Sequence, residues 1–410
     1  MAKPINQTMA FYAMTSLFFI WGFITALNDI LIPFLRAEFS LSYVQANLVQ
    51  FCFFGAYFLI SPIAGKVVAK FGYRNGVFIG LSTLALGCLL FIPAASIKEY
   101  TLFLGALFVL AGGITVLQVS ANPYVNCLGA PKRAASRLNL AQAINSLGHT
   151  AGPLFGTYFI LSATSSSAGA EQVQLPYLLI ALAAITIACS FKFIELPKLS
   201  YENDEQNISA SSSSIWQQKN LLLGAMAIFL YVGAEVSIGG FLVNYFEHPE
   251  IGGLTTSQAG HMVAYYWGGA MIGRFIGAAL MRTYSPSKVL AFNASMAICL
   301  LIVTVLSYGK LAMWSVLAVG FFNSIMFPTI FSLAIKGLGQ LTAKGSGLLC
   351  QAIVGGALFP ILQAVVADKI SIQTSFLVPV FAYVYIFIYA LFQYKTQVNQ
   401  GAEPHKEAAV

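Results

Sequence analysis

Residues 111–153 read AGGITVLQVSANPYVNCLGA, then PKRAASR, then LNLAQAINSLGHTAGP. Two apolar helices, each long enough to cross a bilayer, meet at a turn holding Lys132, Arg133 and Arg137. Each helix carries a row of neutral polar side chains. At helical spacing Thr115, Gln118, Asn122 and Asn126 share one face of the first helix. Asn139, Gln142, Ser146 and His149 share a face of the second, with Asn145 beside them. Lipid offers an amide no hydrogen bond, so such rows serve one of two ends. They glue helix to helix, or they line a wet cavity that a hydroxyl-rich solute enters.

The rest of the chain is built for the same solvent. Of 410 residues, 58% are hydrophobic and 9% charged, where a soluble domain carries roughly 25% charged residues. The first apolar run starts near Phe11, is too long for a signal-peptide core and lacks a cleavage site, so it is expected to stay as the first span. A formal charge of +7 invites a nucleic-acid reading, but the basic residues lie in short loops rather than on one soluble face. The positive-inside rule accounts for them, and no nucleic-acid partner is expected. Six cysteines stand singly in apolar runs without metal or disulfide spacing, which predicts buried free thiols.

Counting stretches of about 20 apolar residues gives twelve spans: 11–35, 43–66, 76–95, 100–128, 138–162, 176–195, 219–246, 258–282, 288–307, 310–335, 344–367 and 371–394. With both termini inside, sixteen basic residues fall in cytoplasmic segments and four outside, and Arg274 lies within span eight. The acid- and serine-rich stretch 199–218 reads as a flexible linker. It separates a six-span half, 1–198, from a second, 219–396, and a tail follows at 397–410. The halves are weakly repeated. Gln142-Ala143-Ile144 recurs as Gln351-Ala352-Ile353, and Asn122-Pro123-Tyr124 has a counterpart in Phe327-Pro328-Thr329. Gly65 and Lys70 are echoed by Gly277 and Arg282. Two parallel six-helix halves imply an all-α membrane protein of the major facilitator fold, its site near the midplane between the halves.

The loop from Gly65 to Arg74 resembles the signature of the major facilitator superfamily, with Ala69 where many members have an acid. Asn28-Asp29-Ile30-Leu31, Ser120-Ala121-Asn122-Pro123-Tyr124-Val125, the run from Leu138 to Gly148, and Phe327 to Gly339 resemble the fucose/galactose/glucose symporter family. That resemblance implies import of a monosaccharide by alternating access, driven by a cation gradient, in the bacterial inner membrane. It implies no cofactor beyond the coupling ion, sodium or proton. The fucose permeases use a span-one acid, matched by Asp29, and a span-four glutamate, matched by the amide Gln118. Asn145 matches an asparagine tied to the sugar site. The change at position 118 points to the glucose, galactose or amino-sugar branch.

Residue by residue, the deep acids Asp29 and Glu235 are the candidates for cation coupling, Asp29 as a carboxylate that picks up a proton or holds sodium. Glu235 equally fits a buried pair with Arg274. Gln118, Asn122, Gln142, Asn145 and Asn28 offer amides that match vicinal hydroxyls, and Gln351 joins them by pseudo-symmetry. Interhelical glue is the competing account. One aromatic among Trp21, Tyr265, Tyr266 and Trp267, with Trp267 the choice, would stack on a sugar ring. His149 reads as packing. Lys66, Lys70 and Arg74 are candidate gating residues, and Pro123 and Pro328 loosen their helices for rocking. A drug exporter, or an importer of another polar solute, would share the fold. A sugar sensor would need no coupling. A membrane enzyme would need a metal cluster or nucleophile–base pair that four dispersed histidines do not offer. The fold needs no second copy, so a monomer in lipid is expected.

Overall fold

The computed structural model describes residues 7–156, 170–191, 196–197 and 214–402; the side chains of residues 28–30, 33, 37, 43–44, 46–47, 170 and 399–402 lie outside that description. The described chain is helical. In order the helices are α1 (Gln7–Glu38), α2 (Tyr43–Ile97), α3 (Tyr100–Cys127), α4 (Ala134–Gly156), α5 (Gln174–Phe191), α6 (Lys219–Glu247) and α7 (Thr256–Leu280). They continue as α8 (Pro286–Leu306), α9 (Gly309–Asn323), α10 (Met326–Ala334), α11 (Thr342–Gln351), α12 (Gly355–Lys369), α13 (Ile372–Ser375) and α14 (Leu377–Ala402).

The expected spans map onto these elements with four local differences, one being span twelve, which divides into α13 and α14 at Phe376. Spans two and three run together as α2, interrupted at Gly72, whose φ of 82° and ψ of 167° belong to a region that glycine alone occupies cheaply. Span ten divides into α9 and α10, and span eleven into α11 and α12 around a 3-10 turn, Ala352–Val354. Of the linker only 214–218 is described, with a 3-10 turn at Ile215–Gln217. Nine described stretches are long and apolar enough to cross a membrane, the 50-residue stretch Leu48–Ile97 holding two expected spans. α4 and α7 are not among them. These two helices carry the amide row and Arg274, and polar side chains dilute their apolar character. Elsewhere the outer surface is greasy: Leu154, Leu306 and Phe381 are 72%, 75% and 77% exposed. Side chains that large and that exposed belong in hydrocarbon, and the described helices are those of a chain that crosses a membrane several times.

The helices gather into two compact units that cross the sequence halves. One holds residues 1–134, 141–217 and 337–354, the other 135–140, 218–336 and 355–410. In the first, α2 packs on α3, α5 and α11, and α11 also reaches α3. In the second, α6 packs on α7, α10, α12 and α14, while α8 lies against α9, α10 and α14. The first turns of α4 join the second unit. There Ser136 Oγ donates to Ala278 O at 2.5 Å. Asn139 Nδ2 donates to Thr329 Oγ1 at 3.2 Å.

The cysteines correct the sequence expectation in part. All six are free, but Cys88 and Cys350 alone among them are buried, and Cys189 and Cys299 are exposed. A thiol is apolar enough to face lipid as readily as core.

Candidate functional site

Every residue of α3 from Leu110 to Asn126 is buried, so its polar side chains must be satisfied inside the protein. Thr115 and Ser120 turn back on their own helix, donating to Ala111 O and Val116 O at 2.8 and 2.7 Å. Gln118 reaches across to α2, its Nε2 donating to Tyr57 Oη at 2.7 Å. Asn122 accepts from Gln142 Nε2 at a long 3.5 Å, and its own Nδ2 finds no acceptor. A buried amide left short of a partner costs about 1–3 kcal/mol. It is also ready to bind a hydroxyl.

The polar residues of α4 do not act as one row. Asn139 belongs to the second unit, bonded to Thr329 and to Ala135 O. Gln142 meets Asn122. Asn145 Nδ2 donates to Phe18 O on α1 at 2.8 Å. His149 is exposed rather than packed. Trp21 is buried, its ring centroid 4.1 Å from that of Phe18. Asn28 and Asp29 lie on α1, but their side chains fall outside the described residues.

Prolines decide where α11 attaches. A proline lacks the N–H that the carbonyl four residues earlier would accept. Pro62 therefore frees Phe58 O, and Gln351 Nε2 donates to it at 3.2 Å. Pro123 frees Val119 O, and Ser346 Oγ donates to it at 3.0 Å. α3 stays continuous across Pro123. Close backbone approach makes these bonds reachable: a Cβ on Gly65 would press on Ala343 O at 3.1 Å and on the Gly347 Cα at 3.4 Å. Gln351 is thereby committed to a main-chain carbonyl. The basic stretch expected as a loop is instead part of α2, broken only at Gly72; its Lys66 and Lys70 are exposed, the latter with its ammonium 5.2 Å from the Phe71 ring centroid. Arg74 Nε donates to Phe191 O at 2.9 Å, tying α2 just after its Gly72 break to the end of α5.

The buried ion pair seen among the described residues lies in the second unit. Glu235 on α6 and Arg274 on α7 are buried together, 14% and 12% of their side chains exposed, with Nη2 and Oε1 3.6 Å apart. That oxygen makes no hydrogen bond within the protein. Arg274 Nε donates to Ser324 O at 3.2 Å, the carbonyl that Pro328 leaves without its helical partner. Here the helix does break, between α9 and α10. Asn323 staples the break to both neighbours: its Nδ2 donates to Tyr266 Oη at 2.7 Å, and Tyr383 Oη donates to its Oδ1 at 2.6 Å. Tyr266 is thus the buried aromatic of its trio. Tyr265 and Trp267 are 59% and 46% exposed, and the Trp267 ring lies against Gly239.

Sequence reasoning missed Tyr57, Ser346, Asn323 and Tyr383, and it missed a buried chain running Ser237–Gln363–Ser375. In that chain Ser237 Oγ lies 2.5 Å from Gln363 Oε1, and Gln363 Nε2 donates to Ser375 Oγ at 3.2 Å. Gln363 and Asn323 did carry a signal, an amide alone in an apolar run.

Comparison with known proteins returns one consistent family. The model of the Major Facilitator Superfamily matches residues 10–350. A "Glucose/galactose transporter" of Brucella abortus biovar 1 (strain 9-941) is 55% identical over 390 residues, 94% of each chain. The "L-fucose-proton symporter" of Escherichia coli (strain K12) is 35% identical over 422 residues, 96% of this chain and 95% of that one. Among solved structures, FucP "in the outward conformation" superposes with a TM-score of 0.85 at 35% identity, covering 93% of this chain and 98% of that one.

Proposed function

The chain belongs to the major facilitator superfamily, and we propose that it is a secondary transporter importing a hexose or amino sugar by cation-coupled symport. The observation that carries this reading is the amide cluster of the first unit. Gln118, Asn122 and Gln142 present polar groups in an apolar shell, and the buried Asn122 Nδ2 among them is left without an acceptor. Donors and acceptors held at that spacing suit the vicinal hydroxyls of a neutral polyol. A glucose/galactose transporter as relative agrees with it.

Asp29 and Glu235 would carry the coupling ion. The fucose-proton relative argues for a proton, and Gln118 in place of an acid argues for a single carboxylate in the first half. Asn145, Asn28, Gln351 and Trp267 are secondary candidates for the sugar. Gln351 and Asn145 each spend one N–H on a main-chain carbonyl, so they would offer a sugar their carbonyl oxygen and the second N–H. Lys66, Lys70 and Arg74 would bias the gate on the loop side. The six-span halves, 1–198 and 219–396, would be the functional halves, with 199–218 as their linker. Both termini would lie in the cytoplasm beneath an inner membrane, and one copy would suffice.

Uptake of labelled glucose into proteoliposomes, under an inward sodium or an inward proton gradient imposed separately, tests the reading. Accumulation is expected under one gradient and lost in Asp29→Asn, while exchange without a gradient survives. Unimpaired accumulation by that variant would remove Asp29 from coupling. No uptake of glucose, galactose, mannose or N-acetylglucosamine under either gradient would reject the sugar assignment.

A further inference from the structure

A cavity of about 260 Å³ opens in the second unit between α7, α8 and α9, lined by Gly277, Leu280, Tyr284, Lys288, Phe292 and Ile325 among others. Its rim faces outward: Leu280 is 43% exposed, and Tyr284 and Phe292 are each 59%. In a membrane-spanning unit such a groove meets acyl chains rather than water. Its one charged lining residue is a cation, Lys288, in the first turn of α8.

The placement of that cation is the informative feature. A positive charge at a helix N-terminus opposes the macrodipole and is stabilised there by an anion. Ser285, which precedes α8, makes no side-chain cap, because its hydroxyl is spent on Gln397 Oε1 at 3.0 Å. Arg282 is exposed nearby in sequence, and Lys395 lies on the adjoining α14. The helices α7, α8, α9 and α14 contain no aspartate or glutamate. Among the described residues neither Arg282 nor Lys288 makes an ion pair, and the Lys288 ammonium sits 5.0 Å from the Tyr394 ring centroid. Apolar depth with a cationic mouth is complementary to one chemistry.

We infer that this groove binds a phospholipid with an anionic headgroup, one acyl chain between α7 and α8 and the phosphate at Lys288. Basic pockets between transmembrane helices on the cytoplasmic side recognise such headgroups. The inner wall includes Phe321 and Ile325, which flank the break where Arg274 holds Ser324 O. A bound chain would therefore support the interruption between α9 and α10.

Native mass spectrometry of the full chain in detergent provides the test, titrating phosphatidylglycerol, phosphatidylcholine with the same chains, and glycerol phosphate. Phosphatidylglycerol is expected to bind about fivefold tighter than phosphatidylcholine, the factor one basic contact supplies. K288Q should abolish the preference while leaving residual binding of both lipids. I276W, which fills the groove, should remove both. Equal affinity for the two lipids, or a preference untouched by K288Q, would overturn the proposal. Glycerol phosphate competing as well as the lipid would also overturn it, because the site would then be one for a soluble anion. K288Q alters an exposed side chain, so the test stands even if I276W does not fold.

Discussion

Pro123 and Pro328 occupy matching places in the two repeats, and the protein treats them differently. Each proline leaves a carbonyl four residues back without its helical donor. In the first unit Val119 O is taken by a neutral hydroxyl, Ser346, and α3 runs on unbroken. In the second, Ser324 O is taken by a guanidinium that also faces Glu235, and the helix divides into α9 and α10. A neutral clasp contributes about 1 kcal/mol, and its opening strands no charge. A charged clasp in a buried setting cannot be released alone, because release strands a carboxylate. The same proline thus makes a light fastening in one unit and, in the other, a fastening bound to the state of an acid.

That contrast is open to direct attack. The largest effect is expected from Arg274→Ala, which leaves Glu235 buried without its cation and should cost about 3–5 kcal/mol. Thermal unfolding in detergent would register the loss. Adding Glu235→Gln in the same chain should restore most of it, and failure to do so would mean that Arg274 works through Ser324 O rather than through the acid. A smaller effect follows for Ser346→Ala and Gln351→Ala, about 0.5–1.5 kcal/mol each by the same assay. The smallest measurement sharpens the cause. In a Pro123→Ala background Val119 O regains a helical N–H, so Ser346→Ala should cost clearly less there. A coupling of about 1 kcal/mol in that double-mutant cycle is expected. Strict additivity would show that Ser346 owes its place to packing.

Much of this was open to reading in the sequence. The basic turn between two amide-bearing helices, twelve apolar runs and the repeated Pro123 and Pro328 led to the fold directly. The candidate site was legible only as composition. Gln118, Asn122 and Gln142 read as polar residues on facing helices; Asn122 and Gln142 meet, while Gln118 turns to Tyr57 on α2. The rest of the α4 row scattered: Asn139 went to Thr329, Asn145 to Phe18 O, and His149 to the exposed surface. Helical periodicity assigns a face to a residue but does not say what lies opposite it, and α4 meets different neighbours along its length. Asn323 escaped notice for a related reason. Its partners, Tyr266 and Tyr383, lie 57 and 60 residues away.

By itself the sequence determined the solvent, the number of spans and their repeat. Each follows from local terms: the transfer energy of apolar side chains, the length needed to cross hydrocarbon, and the backbone limits of proline and glycine. Tertiary structure decided which freed carbonyl each polar side chain caps, which amides keep spare capacity, and that Arg274 serves Glu235 and Ser324 together. Those outcomes depend on contacts such as Ser346 with Val119 and Gln351 with Phe58, 227 and 293 residues apart. No local preference encodes a partner at that distance. It is chosen when packing brings two helices close enough, as Gly65 and Gly347 allow, for an unsatisfied acceptor to meet the nearest donor.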